Sequence, residues 1–242
     1  MSRFPPGMLA VPCMPWLWME SAAALMELRA RLPRDSVVWM RGGGPSSIAA
    51  ARNYAVKEFL QNRKLEWLLF VDADMTPKSD TAVRLLTIAE ETSAAIVGAL
   101  AFERRESYWP ALFYRGTWVN PKVLATLHGV VSADAVGMGC TLIKRCVFEK
   151  LGDPAFQHPA DNPGQDEDFD FCRRARKEGF SIAVDTDFDC GHLAVMPLTR
   201  ELVEAWYQTG EYWRQVSSDG REGTWRGAHR QPIKIAEELL VR

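Results

Sequence analysis

The sequence has few cysteines and no long apolar run. Its five cysteines are scattered along 242 residues without a CxxC pair, which disfavours a disulfide framework and is typical of reduced thiols. Apolar stretches stay below the roughly 18 residues that a membrane-spanning helix needs. The stretch MLAVPCMPWLWM contains Pro12 and Pro15 and has neither the length nor the cleavage site of a signal peptide. We therefore expect a soluble, cytoplasmic protein without a membrane partner.

The chain also lacks an excess of charge of one sign. It carries 29 basic and 31 acidic residues, a net charge of -2, so no overall field attracts nucleic acid. A glycine-rich loop with a basic residue, which many nucleotide-binding proteins use to cradle phosphate, does not follow the first predicted strand. Residues 42–45 are glycine-rich, but they contain no lysine and are typical of a flexible turn.

Apolar residues are plentiful, at 47% of the chain, which is enough for the core of one large α/β domain. Their spacing alternates between the period of a strand and that of a helix. Strands are predicted at residues 8–11, 36–40, 68–71 and 94–100, and helices at residues 20–31, from Ser46 or Ser47 to about residue 63, and from 77–79 to 91. This repeated order predicts a mostly parallel central sheet with helices on both faces.

The second half of the chain is less regular. Residues 103–134 combine aromatics, prolines and short β-like pieces, which predicts a smaller antiparallel part or loops. A strand is then expected to lead into a helix at about residues 145–151. Gly137 and Gly139 precede that helix and would let the backbone approach a ligand closely. A helix ending at Gly179 and one more strand complete the predicted elements.

Two carboxylates, Asp72 and Asp74, follow the most apolar short run of the chain, residues 68–71. The run predicts a buried parallel strand, and ligands of α/β sheets bind beyond the carboxyl ends of such strands. Alternate side chains of an extended backbone point the same way, so both carboxylates can share one hard cation. A diphosphate bound to that cation would be a better leaving group.

A second group of acidic residues lies at the predicted start of the helix that ends at Gly179. Its members are Asp166, Glu167, Asp168 and Asp170. Acidic side chains at a helix N-terminus complement the helix dipole, and for Asp166 and Glu167 that explanation and a functional one both stay open. Asp168 has the stronger functional case.

His192 stands alone after the last predicted strand, beside Gly191. A lone histidine is often only a satisfied polar group, whereas a role as metal ligand needs partners from elsewhere in the chain. Cys172, Cys190 and His192 could also be three ligands of a structural zinc ion, although their spacing does not match the common zinc motifs.

Four segments together resemble the glycosyltransferases of the GT-A fold, and more narrowly the short soluble members that are frequent in bacteriophage genomes. The segments are SSIAAARNYAVKEFL, LLFVDADMTP, GMGCTLIKRCVFEKLG, and DEDFDFCRRARKEGF with CGHL behind it. They follow the family's order and span most of residues 46–193. The resemblance implies the GT-A fold, an α/β architecture with a mostly parallel central sheet and a smaller antiparallel part on the acceptor side. The QxxRW signature of processive polysaccharide synthases is missing, which favours transfer of a single sugar.

The resemblance also implies a metal site. Asp72 and Asp74 match the DxD motif, in which Asp74 binds Mn²⁺ or Mg²⁺ and Asp72 touches the metal or the ribose of a nucleotide sugar. His192 matches a metal-binding histidine of several such enzymes. An imidazole among oxygen ligands suits Mn²⁺ better than Mg²⁺, so manganese is the expected ion.

Other matched positions divide between donor and acceptor. Arg52 matches a position near the nucleotide, where a guanidinium could pair with phosphate or base; a solvated helix arginine is the alternative. Gly137 and Gly139 are assigned to the same nucleotide-sugar site. Glu167 and Asp168 match the ED pair on the acceptor side, and Asp168 is the expected general base of an inverting reaction. In a retaining reaction it would orient a sugar instead, and the sequence leaves both open.

The predicted function is therefore metal-dependent transfer of one sugar from a nucleotide-diphosphate sugar to an acceptor hydroxyl. A UDP-sugar is the first expectation for the donor and a GDP-sugar the second; the acceptor is a small molecule, a glycan or a modified DNA base. We expect a single GT-A domain, with a nucleotide-sugar half at residues 1–102, an acceptor half at 103–195 and a C-terminal helical extension at 196–242. A phage-encoded protein would act in the host cytoplasm.

Two other classes remain as alternatives. A metal-dependent nucleotidyltransferase would also grip phosphates through carboxylates, but it would need the missing phosphate loop. A non-catalytic carbohydrate-binding module would bind sugar without nucleotide or metal. The tail beyond His192 interleaves aromatic and basic residues, which could stack on and pair with modified DNA, or could simply belong to amphipathic helices packed on the core.

Overall fold

The computed structural model describes residues 4–12, 17–41, 47–103, 109–158 and 166–194. The predicted turn at 42–45, the candidate cap Ser46, Cys13 and the expected C-terminal extension lie outside these residues. All the described residues fall within one compact unit, Met1–Ala194. None of the helices in this part of the chain combines the length and apolarity needed to cross a membrane.

Strands and helices alternate through the first hundred residues, as the hydrophobic spacing predicts. They are β1 (Met8–Pro12), α1 (Met19–Ala30), β2 (Val37–Arg41), α2 (Ile48–Gln61), β3 (Trp67–Val71), β4 (Met75–Thr76), α3 (Thr81–Glu91) and β5 (Ile96–Leu100). Ser47 caps α2, because its hydroxyl accepts a hydrogen bond from the backbone N–H of Ala50 at 3.2 Å. Helix α3 begins later than the predicted 77–79, since the short strand β4 and a turn occupy the preceding residues.

The second half contains mostly short elements until residue 140. They are β6 (Leu112–Tyr114), β7 (Thr117–Trp118), α4 (Pro121–Leu124), β8 (Val130–Ala133), β9 (Ala135–Val136), β10 (Cys140–Lys144), α5 (Arg145–Leu151), α6 (Glu167–Lys177), β11 (Ile182–Asp189) and β12 (Gly191–His192). Strands β7, β6 and β9 form a small antiparallel sheet. The expected antiparallel part in this region is therefore confirmed.

The central sheet has seven strands in the order β2-β1-β3-β10-β5-β11-β8. Strands β2, β1, β3, β5 and β11 run parallel, while β10 and β8 run antiparallel to their neighbours. The mostly parallel sheet is confirmed, but the repeated strand–helix order does not predict that β10 separates β3 from β5. Strand β10 enters from the small antiparallel sheet without a crossover helix, so it can run opposite to both neighbours.

The central sheet is buried on both faces. Leu68 and Phe70 of β3 pack in a core with α2, α5 and α6, whereas Leu69 and Val71 pack in a second core with α1 and α3. This explains why the strand is a continuous apolar run instead of an alternating one. Burial on both sides fixes where β3 ends, and it leaves Asp72 at the carboxyl edge of the sheet.

Candidate active site

A cleft of about 380 Å³ lies beyond the carboxyl end of β3. Six of the eight residues that the resemblance assigns to the site line it: Arg52, Asp72, Gly137, Gly139, Asp168 and His192. The other two contact members of this set, since Glu167 pairs with Arg52 and Asp74 lies beside His192. Asp166, for which the sequence left a functional role open, lines the cleft as well. Residues from five separate segments of the chain thus meet at one place.

Arg52 joins the two acidic motifs. It lies on α2, is only 3% exposed, and directs its Nη2 at both carboxylate oxygens of Asp72, at 3.2 and 3.0 Å. Its Nη1 donates to Glu167 Oε1 at 2.7 Å. The interpretation of Arg52 as a solvated helix arginine is therefore wrong. A buried guanidinium with two carboxylate partners holds the end of β3 and the start of α6 together.

The charge of Arg52 is maintained by these neighbours. Burial disfavours the charged guanidinium, but the nearby charges of Asp72, Glu167 and Asp168 outweigh it, so the pKa of Arg52 is raised. Its Nε is buried and has no hydrogen-bond partner among the described residues. Arg52 is consequently a permanent cation at the base of the cleft.

Asp168 differs from the other carboxylates of the site. It is partly buried in the second position of α6, and its Oδ1 accepts a hydrogen bond from the backbone N–H of Phe169 at 2.7 Å. Burial raises the pKa of Asp168 to about 6; Arg52 opposes the shift, and the negative charge of Glu167 adds to it. A carboxylate with a pKa close to neutral is suited to accept a proton during a reaction.

Asp170, the remaining acidic residue of α6, stabilises the start of the helix that carries Asp168. Asp170 is completely buried, and its carboxylate accepts hydrogen bonds from Arg173 at 2.5 Å and Arg174 at 2.7 Å. Burial alone would raise the pKa of Asp170, but these two arginines lower it. Arg174 also donates to the backbone oxygen of Ala155. Asp170 thus anchors the first turn of α6, the turn that presents Asp168.

A two-stranded sheet places His192 next to the DxD motif. Strand β12 pairs with β4, so that His192 lies opposite Met75, and the N–H of Leu193 donates to the backbone oxygen of Asp74 at 2.8 Å. The His192 ring nitrogen Nδ1 lies 2.6 Å from the backbone oxygen of Phe102, to which it donates. Its Nε2 lies 3.4 Å from Asp74 Oδ1.

The donor set formed by Asp74 and His192 fits a divalent cation. Because Nδ1 donates to a carbonyl, the lone pair of a neutral imidazole is on Nε2 and faces a carboxylate oxygen, an arrangement that a proton or a metal ion satisfies. Two ligands bound to one small cation on adjacent positions lie about 3 Å apart, close to the distance observed. Among the described residues, no three His, Cys, Asp or Glu side chains form a metal cluster, so Asp74 and His192 would supply two protein ligands.

Asp72 has a different environment from Asp74. Both of its oxygens are engaged by Arg52, and its backbone N–H donates to the oxygen of Gly139 at 2.9 Å. The proposed share of Asp72 in the metal site stays a prediction, as do the roles of the other residues. Cys172, Cys190 and His192 form no cluster of metal ligands within the described part of the chain, so the zinc alternative is wrong. By the same criterion Asp72, Asp74 and His192 do not form a three-residue cluster either, and of that set the structure places Asp74 and His192 side by side.

Gly137 and Gly139 form a wall of the cleft that has no side chains. A Cβ on Gly139 would lie 3.7 Å from Asp72 Oδ2, and one on Gly137 would lie 3.7 Å from Asp168 Oδ2 and 2.9 Å from the Ala111 side chain. Side chains at these two positions would therefore enter the space between the two acidic motifs. The pairing of β10 with β3 brings this segment next to Asp72. The sequence alone did not indicate this proximity.

Two aromatic residues of the cleft were not singled out by the sequence analysis. Trp118 is 41% exposed and lines the cleft together with Phe169. Their ring centroids are 5.8 Å apart, and both rings contact Phe113. Phe169 could have been suspected because it follows Asp168 directly. Trp118 lies in an aromatic-rich segment whose elements were not resolved by hydrophobic spacing.

Comparisons with known proteins identify the family and the fold of the chain. The family model described as "Glycosyltransferase like family 2" matches residues 19–216. Among solved structures, A197 from STIV superposes with a TM-score of 0.56 and 16% identity over 81% of this chain and 97% of that one. GalNAc-T7, in a structure with UDP, GalNAc and Mn²⁺, gives a TM-score of 0.54 and 11% identity over 88% of this chain and 49% of that one. No curated protein matches the sequence.

The family model covers all the residues that line the cleft and begins after strand β1. The structural neighbours support the expected GT-A fold, and the family model extends over most of the chain. An origin in a bacteriophage stays a prediction. The chain belongs to the glycosyltransferase-like family 2 and is a glycosyltransferase with the GT-A fold.

Proposed function

We propose that this glycosyltransferase depends on a divalent cation and moves one sugar from a nucleotide-diphosphate sugar to an acceptor hydroxyl. The observation that carries the proposal is the approach of Asp74 Oδ1 and His192 Nε2 to 3.4 Å at the cleft that Asp168 also lines. The two candidate cation ligands and the candidate base thus lie at one cavity. GalNAc-T7, whose fold this chain resembles, has a structure with UDP and Mn²⁺, which supports a UDP-sugar and manganese as first choices.

The donor would lie on the β3 side of the cleft. Asp74 and His192 would hold Mn²⁺, or Mg²⁺ as second choice, with Asp72 positioned beside them by Arg52. When bound, the cation would neutralise the charge that develops on the leaving nucleoside diphosphate. Gly137 and Gly139 leave room for the donor because they carry no side chain toward Asp168 and Asp72.

Asp168 would act on the acceptor. Its carboxylate takes the proton of the acceptor hydroxyl while the hydroxyl oxygen forms a bond to the anomeric carbon. The bond between that carbon and the diphosphate oxygen breaks, and the diphosphate leaves with the electron pair. General-base help of this kind contributes about 10² to 10⁴ in rate. Such a single displacement inverts the anomeric configuration, which NMR of the product would report.

The proposed roles also divide the chain into three parts. Residues 1–102 would form the nucleotide-sugar half, residues 103–195 the acceptor half, and residues 196–242 a C-terminal extension. The family match favours the glycosyltransferase over the nucleotidyltransferase and over the carbohydrate-binding module, and both alternatives differ from it in their ligand requirements.

Calorimetry with UDP, with and without Mn²⁺, tests the donor site, followed by a panel of nucleotide sugars assayed for hydrolysis. We expect Mn²⁺ to be required for UDP binding and EDTA to abolish turnover, with recovery on adding Mn²⁺. Asp74→Ala should fail to recover and turn over about a hundredfold more slowly or worse. Asp80→Ala is a matched control, because Asp80 is exposed and makes no side-chain cap bond to α3. Full activity of Asp74→Ala, or UDP binding independent of Mn²⁺, would refute the metal site.

A further inference from the structure

A second cleft adjoins the first on the side of the candidate base. It has a volume of about 400 Å³ and is lined by Phe113, Asp134, Phe169, Arg173, Arg176 and Lys177. Phe169 lines both clefts, and it is the residue next to Asp168. An acceptor whose hydroxyl reaches Asp168 can therefore extend over Phe169 into the second cleft.

The cationic residues of this cleft lie on one face of α6. Arg173 follows Phe169 by four residues, and Arg176 and Lys177 follow Arg173 by three and four, the spacings that put side chains on the same side of a helix. With a rise of 1.5 Å per residue, Arg173 lies about 8 Å and Lys177 about 14 Å beyond Asp168 along the helix axis. A ligand that spans the distance from the base to these cations is longer than one sugar ring.

The charges around this cleft do not cancel. Asp170 is shared by Arg173 and Arg174, and Asp134 pairs with Arg176 at 2.8 Å. Lys177 is exposed and forms no ion pair within the part of the chain that the structure describes. Cations thus outnumber carboxylates in the cleft, and the surplus lies where solvent and ligands have access.

Aromatic rings connect the surplus charge to the candidate active site. Trp118, 41% exposed, has its ring next to Phe169, and Phe113 meets both rings edge-on at 5.3 and 5.0 Å. The faces of such rings are electron-rich and receive the C–H groups of a sugar. An acceptor that extends away from Asp168 would therefore meet the aromatic rings, which suit a sugar, and then the cationic side chains, which suit an anion.

We propose that the acceptor is an oligosaccharide with a phosphate or similar anionic group, whose sugar lies over Trp118 and Phe169 and whose anion is held by Arg173, Arg176 and Lys177. The inference rests on the proposed function and adds the acceptor class to it. A nucleic-acid strand fits less well, because the cations are confined to about one turn of α6 and the chain has a net charge of -2.

Trehalose and trehalose 6-phosphate are suitable probes, since they differ only in the phosphate. Saturation-transfer NMR titrations in the presence of UDP and Mn²⁺ should show trehalose 6-phosphate binding about tenfold more tightly than trehalose, as expected for two or three exposed ion pairs of about threefold each. Inorganic phosphate should compete with trehalose 6-phosphate only. Raising the salt concentration should reduce the difference between the two sugars.

Lys177→Glu should weaken binding of trehalose 6-phosphate about fivefold or more and leave trehalose within about twofold. Trp118→Ala should weaken both sugars, and Trp118→Phe should restore part of the loss. Lys57→Glu is the control, because Lys57 is exposed on α2 and does not line this cleft; it should change neither affinity.

Equal affinity for the two sugars in a protein that binds UDP and Mn²⁺ normally would overturn this inference and leave the proposed function intact. Failure of the unmodified protein to bind UDP and Mn²⁺ would instead refute the proposed function. If a single-stranded DNA oligomer bound more tightly than trehalose 6-phosphate and lost affinity in Lys177→Glu, the acceptor would be nucleic acid and the oligosaccharide proposal would be wrong.

Discussion

Replacing Arg52 by methionine should separate its structural role from any direct contact with substrate. The Arg52 and Glu167 side chains are 4% and 8% exposed and 2.7 Å apart, so this is a buried ion pair. Removing one partner of such a pair costs about 3–5 kcal/mol, because the other charge is left buried. Asp72 is 26% exposed, so water can solvate it after the loss, and most of the cost comes from Glu167.

We therefore expect Arg52→Met to lower the free energy of unfolding by about 3–5 kcal/mol, which in a chain of this size lowers Tm by about 10 °C. Denaturant unfolding followed by circular dichroism measures the change. The double variant Arg52→Met with Glu167→Gln should recover about half of the loss, since the most buried of the carboxylates that Arg52 pairs with is then uncharged. A loss below about 1 kcal/mol, or a double variant no more stable than Arg52→Met, would refute the account of Arg52 as a buried bridge.

Asp168→Asn should lower turnover about a hundredfold to ten-thousandfold and leave nucleotide-sugar binding nearly unchanged; normal activity would show that Asp168 is not the base. Because Asp168 has a folded-state pKa raised to about 6, the unmodified enzyme should gain activity as the pH rises through about 6, where half of Asp168 is ionised, and should level off about one pH unit higher, as a pH–rate profile would show. The same raised pKa means that ionised Asp168 destabilises the fold above that pH, so Asp168→Asn should melt at a higher temperature at pH 7.5 and equally at pH 3.5. Gly139→Ala should fold, because the nearest atom to the added Cβ is the Met75 sulfur, at 3.4 Å. The variant should raise the KM for the donor more than it lowers kcat. Asp170→Asn should lower the free energy of unfolding by about 2 kcal/mol at neutral pH; since the pKa of Asp170 is lowered, the difference from the unmodified protein should disappear in acid.

The sequence predicts much of the donor side of the fold. The run at residues 68–71 is buried on both faces as β3, and Ser47 caps α2 as its residue type suggests. These sequence signals are local, because a strand buried on both faces and the start of a helix are each indicated by the types of a few neighbouring residues. The position of Asp72 and Asp74 at the strand end follows from the same local pattern.

What the sequence does not predict depends on partners far apart in the chain. Arg52 and Glu167 are separated by 115 residues, and nothing near either residue indicates that they meet. The insertion of β10 beside β3 is also non-local, and it brings Gly139 to Asp72. Helix-dipole complementarity and function remained competing explanations for Glu167, whereas its buried contact with Arg52 gives it a specific structural role.

The antiparallel strand β10 has a consequence for motion. It hydrogen-bonds to β3 on one side and to β5 on the other, and β5 continues to β11. Asp72 and Gly139 are therefore next to one continuous ladder of backbone hydrogen bonds, whereas His192 lies on β12 of the separate two-stranded sheet. Because a continuous ladder of hydrogen bonds resists deformation, we expect closure over a substrate to involve loops and side chains at the rim of the cleft and not the strands beneath it.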